Sequence, residues 1–169
     1  MSDDVFPDVR WGSDRNLLRK PATAFASTTF GSWLIRSAAP LDRKLLQRSH
    51  GRFTILGPIG APTVLLTTTG RKSGQPRTSP LLYIRDNGRL VVVGSNFGHS
   101  THPAWTANLL ADPNGTVTLG STIVPVVATP IDGSEYEDLY TGFVNMASVY
   151  GGYRHRTDRA MRMFALTPQ

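Results

Sequence analysis

From residue 50 onward the chain is cut into short runs of β-branched and apolar residues, each closed by glycine, proline or asparagine. Such punctuation leaves room for little except a strand-rich fold. Arg52–Leu56 is the first run, followed by the loop Gly57-Pro58-Ile59-Gly60-Ala61-Pro62. Val64–Thr69 follows and ends at Gly70. Pro80–Arg85 and Leu90–Gly94 flank Asp86-Asn87-Gly88, whose Asn-Gly pair suits the positive φ angles of a tight hairpin. Thr116–Leu119 and Thr122–Ala128 form a second hairpin around Gly120-Ser121. Pro125 places that last strand at an edge or a bulge, because proline cannot donate to a ladder. Arg162–Leu166 would close the sheet. Six or seven short strands with few helices predict a mainly β molecule, a small barrel or curled sheet rather than a βαβ fold.

Two helices interrupt the strands. Pro103–Ala111 opens with a proline suited to a first helical turn and stops before Asp112-Pro113-Asn114-Gly115. Ser134–Tyr150 opens with Ser134 and Glu137 at capping-box spacing. It carries Tyr136, Leu139, Tyr140, Phe143, Ala147 and Tyr150 on one stripe, and Gly151-Gly152 would end it. Upstream, residues 1–14 read as a mobile tail, and 15–49 as two short basic amphipathic helices separated by Pro40. The expected organisation is therefore an N-terminal extension over 1–49 and a strand-rich domain over 50–169.

Charge narrows the partners. The net charge is +6, and it is concentrated. Arg15 to Arg52 holds eight basic residues against the single acid Asp42, and Arg71 to Arg77 adds three cations with no acid. An anionic partner follows: a nucleic acid, a phospholipid surface or a polyanionic cofactor. The chain has no cysteine, which excludes disulfides, thiolate metal sites and Cys nucleophiles. No run approaches the roughly 18 apolar residues that would cross a bilayer. The start Met1-Ser2-Asp3-Asp4 is acidic where a secretory signal would be basic, so a cytoplasmic location is expected.

The strongest local motif is Thr67-Thr68-Thr69-Gly70-Arg71-Lys72-Ser73-Gly74-Gln75-Pro76-Arg77-Thr78-Ser79-Pro80, joining two strand-like runs. Its glycines allow positive φ and free backbone N–H groups, Ser73 and Thr78 add hydroxyls, and three cations converge. Concave amide turns backed by guanidinium groups hold phosphates. The P-loop order is absent, and a solvated hairpin turn with incidental arginines is the plain alternative. The second motif is Gly94-Ser95-Asn96-Phe97-Gly98-His99-Ser100-Thr101-His102-Pro103-Ala104-Trp105-Thr106-Ala107-Asn108. Trp105 and Asn108 share a helix face. Trp105 has two open roles, stacking on a planar ring and core packing, and residue type alone points to the core. No carboxylate cluster accompanies His99 and His102, so capping or solvent exposure suits them better than metal binding. The third motif runs from Tyr150 to Arg159. Tyr153 could line an acceptor pocket or simply pack, while Asp158 and the neighbouring arginines suit a helix end fixed by ion pairs.

At these residues the sequence resembles the F420-dependent nitroreductase family, the deazaflavin-dependent enzymes of the flavin/deazaflavin oxidoreductase superfamily. Three segments match in order: Leu65–Pro80, Ser95–Asn108 with its His-Pro-Ala-Trp-x-x-Asn core, and Tyr153–Arg159 ending in Arg-Thr-Asp-Arg. The similarity covers about residues 50 to 167. It implies an FMN-binding split-barrel-like fold, a split β-barrel with flanking helices. It also implies that Arg71, Lys72, Ser73, Gly74 and Arg77 hold the phosphate and acidic tail of coenzyme F420. Thr78, Ser79 and Pro80 would run along its ribityl chain and ring. Ser95, Asn96, Phe97 and Gly98 would form the facing loop, Pro103, Trp105 and Asn108 would close over the cofactor, and Tyr153 would face the substrate. Many relatives carry a lysine and a glycine where this chain has Asn96 and Phe97.

The implied chemistry is hydride transfer from F420H2 to a lipophilic acceptor such as a quinone, enone or nitro compound, with Tyr153 or Ser95 as proton donor. An FMN-dependent oxidoreductase on the same barrel and a non-catalytic F420- or lipid-binding protein are the alternatives. A nucleic-acid role lacks support, since neither aromatic platforms nor a helix-turn-helix signal is present. The basic segment before His50 suits peripheral contact with an anionic membrane. A monomer or a homodimer is compatible with the sequence, and no metal is expected.

Overall fold

The computed structural model describes residues 5–7 and 62–169. The strand expected at Arg52–Leu56, the two basic helices within 15–49 and the boundary at 49/50 lie outside the described residues. Six strands form the barrel: β1 (Thr63–Thr69), β2 (Pro76–Asp86), β3 (Arg89–Val93), β4 (Asn114–Leu119), β5 (Thr122–Ile131) and β6 (Met163–Pro168). They close in the order β1-β2-β3-β6-β5-β4, every neighbour antiparallel, with β4 returning to β1. Closure removes the open edges that a flat sheet of this length would expose. Helix α1 (Ala104–Ala111) links β3 to β4, and α2 (Gly133–Met146) with α3 (Val149–Arg154) links β5 to β6.

Alternation along the strands sorts the core. Val64 and Leu66 of β1, Leu90 and Val92 of β3, Val117 and Leu119 of β4, and Phe164 and Leu166 of β6 fill one buried cluster, the barrel interior. The intervening residues Val91, Val93, Met163 and Ala165 point outward into a second cluster with Tyr140, Phe143, Tyr150 and Tyr153 of α2 and α3. Strands β3 and β6 are thus covered on both faces, which is why their sequences read as unbroken apolar runs.

Several expectations changed on folding. The helix over Ser134–Tyr150 is two helices, because Ala147 turns extended (φ −150, ψ 107) and ends α2. Gly151 and Gly152 lie inside α3 rather than terminating a helix. The break swings Tyr150 and Tyr153 onto the barrel, and the Tyr140 hydroxyl ties the two helices by donating to the Tyr150 carbonyl at 2.7 Å. No capping box forms: Asp132 is the N-cap, and Glu137 accepts both arms of the Arg154 guanidinium at 2.9 Å. That pair takes the part expected of Asp158. Pro103 caps α1 rather than beginning it. Pro125 sits on no edge; it lies just past the first β5–β6 pair, Val126 with Pro168, where no ladder bond is required of its nitrogen.

The largest departure concerns the N-terminal tail. Phe6 is 1% exposed and belongs to the barrel-interior cluster, while Arg85 donates to the carbonyls of Phe6 (3.0 Å) and Pro7 (2.6 Å). Residues 5–7 are therefore an anchor. Composition pointed to a tail because one phenylalanine among acids has no periodicity to betray it.

Candidate functional site

The bend between β1 and β2 is held by its own backbone. Gly70 N–H donates to the Gln75 carbonyl at 2.8 Å, and the N–H groups of Ser73 and Gly74 both donate to the Gly70 carbonyl (3.0 and 2.7 Å). Gln75 N–H reaches Ser73 Oγ at 3.3 Å, and Gly74 adopts φ +65, which favours glycine. A Cβ on Gly70 would come within 2.8 Å of Ser73 Oγ and 3.0 Å of the Gln75 carbonyl, so only glycine closes this bend. These bonds correct one expectation: the amides of Ser73, Gly74 and Gln75 are spent internally. The side chains of Arg71, Lys72 and Arg77 project from a rigid turn, all exposed, and none pairs with an acid among the described residues. Cations rather than amides would hold an anion here.

Pairing with β1 carries β2 further toward the bend than expected, so Arg77, Thr78, Ser79 and Pro80 lie on the strand itself. Thr78 and Thr67 face one another and share a hydrogen bond at 2.8 Å on the outer side of the barrel. Arg77 and Ser79 alternate to the other side, at the barrel mouth. β3 pairs with β2 only from Tyr83 onward, so among the described residues the stretch Pro76–Leu82 has β1 as its one ladder neighbour. The barrel is split along that stretch. The chain leaves β3 at Gly94 and turns through Ser95–Gly98 beside the same opening.

That second turn is unusual. Asn96, Phe97 and Gly98 all have positive φ (45, 56 and 76), a left-handed conformation that costs L-residues roughly 1–2 kcal/mol each. Gly98 N–H donates to the Ser95 carbonyl and His99 N–H to the Asn96 carbonyl, both at 3.0 Å, and the Asn96 amide donates to the Thr101 carbonyl at 2.9 Å. Arg159 holds the turn from outside. Its guanidinium donates to the carbonyls of Gly94 (3.2 Å), Ser95 (3.0 Å) and His99 (3.2 Å) and meets His102 Nδ1 at 2.9 Å. A guanidinium has no acceptor, so Nδ1 carries the lone pair and His102 is neutral. Burial, with Arg159 and Arg162 close by, pushes His102 below the usual imidazole range, and burial likewise lowers Arg159.

The other expected site residues are placed as follows. Tyr153 is buried, edge-on to Phe97 at 6.3 Å and to Tyr150 at 5.4 Å, with the Arg156 guanidinium 5.8 Å above its ring. A Cβ on Gly98 would press on Arg156 Cβ and the Tyr153 carbonyl, so turn and α3 are in close contact. Trp105 lies in the barrel core, its ring tilted on Phe164 at 5.8 Å. Asn108 is also buried, and it supports the cationic bend from behind: Oδ1 accepts Arg71 N–H, and Nδ2 donates to Thr68 Oγ1 at 3.0 Å. Sequence reasoning missed the roles of Arg159, His102 and Thr68, since nothing in their spacing announces contacts made 40 to 65 residues away. Among the described residues no cluster of ligating side chains could hold a metal ion.

The family model described as F420H(2)-dependent quinone reductase matches residues 41–168. The chain belongs to that family. These are oxidoreductases whose coenzyme is F420, and the bend and open strand edge lie within the matched span. Among related sequences, an F420H(2)-dependent quinone reductase of Mycobacterium tuberculosis is 34% identical over 130 residues, covering 75% of this chain and 87% of that protein. Among solved structures, an F420-H2 dependent reductase, FDR-A, superposes with a TM-score of 0.57 at 36% identity, over 62% of this chain and 93% of that one. A second structure, described as a domain-swapped dimer, superposes with a TM-score of 0.60 at 31% identity, over 82% of this chain and 99% of that one. The split barrel is thus the fold of this family, and the enzyme is an F420-dependent oxidoreductase.

Proposed function

We propose that this chain reduces quinone-class acceptors with F420H2, whose binding residues would run along the open edge of β2 from the cationic bend to the Ser95–Gly98 turn. The observation that carries this reading is the meeting of three cations that have no acidic partner among the described residues with a strand edge that none of those residues pairs. From Pro76 to Leu81 the edge runs roughly 17 Å at about 3.3 Å per residue, room for a long ligand with a charged end. The donor set suits F420. Arg71, Lys72 and Arg77 match a phosphate bearing further carboxylates, Ser73 and Thr78 can donate hydroxyl hydrogens, and Thr78, Ser79 and Pro80 offer an uncharged wall for a planar ring. Bound there, the coenzyme supplies a hydride from its central ring.

The protein's own contribution is placement and exclusion of water. Asn108 and Thr68 keep the bend rigid, Trp105 stiffens the base of α1, and Phe97, Gly98 and Pro103 border the opposite wall. Tyr153 and Ser95 stand on the acceptor side, and either is suited to return a proton to the reduced acceptor. The finer acceptor range is part of the proposal: quinones first, with enones and nitro compounds sharing the same electron-poor, lipophilic character.

The basic stretch before His50 adds a second proposal, peripheral contact with an anionic bilayer where such acceptors dissolve. No described helix is long and apolar enough to cross a membrane. The test of the main reading is a binding titration of F420, FMN and NADPH, followed by reduction of a quinone panel with F420H2. Tight binding of F420 alone with quinone turnover supports it; preferential FMN binding moves the chain to flavin chemistry, and binding without turnover makes it a carrier.

A further inference from the structure

We propose that Arg159 is the positioning residue of the coenzyme-facing wall, and that His102 makes its grip proton-sensitive. The inference deepens the F420 reading and rests on it. Ser95, Asn96, Phe97 and Gly98 are not in a conformation that a short loop adopts unaided. Three successive left-handed residues, two with side chains, need compensation. Beyond the turn's own bonds and the Asn96 amide on the Thr101 carbonyl, much of the compensation comes from one side chain. Arg159 delivers four hydrogen bonds into a nine-residue stretch, to the carbonyls of Gly94, Ser95 and His99 and to His102 Nδ1. Its planar fork meets several acceptors lying in different directions, which the single ammonium of a lysine cannot do.

Of the four acceptors of Arg159, the His102 imidazole is the one that can change charge. When neutral it is an acceptor for Arg159. When protonated it loses that lone pair and becomes a third cation beside Arg159 and Arg162, the charged groups that face it. Arg162 is itself engaged through Thr106 Oγ1 at 3.4 Å, and Thr106 belongs to the first turn of α1 next to His102. Because burial and the neighbouring guanidinium groups hold His102 below the ordinary value of about 6.5, the clamp stays complete at that pH and weakens only as pH falls through the lowered value. Loosening the clamp frees the carbonyls of Gly94 and Ser95 and lets the wall relax away from the β2 edge. Coenzyme affinity should then fall in acid through the protein, over and above any titration of the coenzyme.

Two measurements test this. The first needs no coenzyme: amide hydrogen exchange at Gly98 and His99, whose N–H groups close the turn. Protection should fall about tenfold in Arg159→Lys, as expected for the loss of charge-assisted hydrogen bonds. In the parent chain it should also fall from about pH 8 to about pH 4.5 after correction for intrinsic exchange, but not in His102→Gln, whose amide oxygen accepts without titrating. The second is F420 affinity across the same range. The acid-to-neutral ratio of dissociation constants should be smaller in His102→Gln than in the parent, and Arg159→Lys should weaken binding at both ends. Equal protection in Arg159→Lys and parent, or equal pH ratios in His102→Gln and parent, overturns the proposal. If the parent fails to bind F420 at any pH, the F420 reading fails, while the exchange data still decide the clamp.

Discussion

Asn108 accepts the backbone N–H of Arg71 at 3.1 Å through its side-chain oxygen, while its amide donates to buried Thr68. A helix residue thereby fixes the first cation of a bend 37 positions earlier in the chain. Its own polar atoms are directed into the protein, so its influence on coenzyme is transmitted through Arg71. Replacing Asn108 by Ala leaves buried Thr68 Oγ1 and the partly buried Arg71 N–H without these partners, which costs about 1–3 kcal/mol. We expect Asn108→Ala to lower thermal stability and weaken F420 binding together, with Asn108→Asp intermediate because it keeps the acceptor for Arg71. Melting curves and a fluorescence titration would check both.

Arg71, Lys72 and Arg77 have no acidic partner among the described residues, so neutralising them disturbs little within the fold. The triple change Arg71→Gln, Lys72→Gln, Arg77→Gln should leave the melting temperature close to that of the parent and weaken F420 at least about a hundredfold, from three charge-assisted contacts of roughly 1 kcal/mol or more each. Affinity in the parent should also fall as salt is raised, and that slope should flatten in the variant. Intact affinity in the variant would remove the bend from the coenzyme site.

Phe6 makes a different prediction. Its ring fills barrel volume together with residues from all six strands, so Phe6→Ala should cost about 3–5 kcal/mol, as for other buried aromatic truncations. Arg85→Ala, which releases the carbonyls of Phe6 and Pro7, should cost less. Chemical denaturation measures both. Deleting the N-terminal extension to probe membrane contact would remove this anchor as well, so binding to anionic vesicles is better tested by neutralising Arg43, Lys44 and Arg48.

Tyr153 packs edge-on against Phe97, on the side proposed for the acceptor. If it supplies a proton, Tyr153→Phe should lower kcat by at least about tenfold with KM little changed, the range in which general-acid groups act. Ser95→Ala tests the second candidate. A Tyr153→Phe enzyme with parental kcat assigns proton return to Ser95 or to water.

The Glu137–Arg154 pair joins α2 to α3, and the Arg154 guanidinium also lies 4.0 Å from the Tyr140 ring centroid. The hydrogen bonds from Arg154 hold the Glu137 carboxyl below its ordinary range. Its contribution is therefore present above the ordinary carboxylate value and is lost as pH falls through the lowered one. Melting temperature should drop on acidification below about pH 4.5, and less so in Glu137→Gln. The pair is exposed, so the difference should be small.

Much of this molecule was determined locally. The β-branched runs, the Asn87-Gly88 hairpin and the apolar character of β3 and β6 follow from side-chain shape and backbone sterics. Such forces act between near neighbours, so the amino-acid order displays them. The cationic bend was equally legible, because Gly70, Arg71, Lys72, Gly74 and Arg77 are contiguous or nearly so. Tertiary structure alone decided the rest. It spent the amides of Ser73, Gly74 and Gln75 on the bend itself, sent Trp105 and Asn108 inward, drew Phe6 into the barrel, broke the long helix at Ala147 and placed Arg159 behind a left-handed turn. Each of those outcomes depends on partners tens of residues away. Hydrogen bonding and burial reward closeness in space, and closeness in space exists only after the barrel has closed.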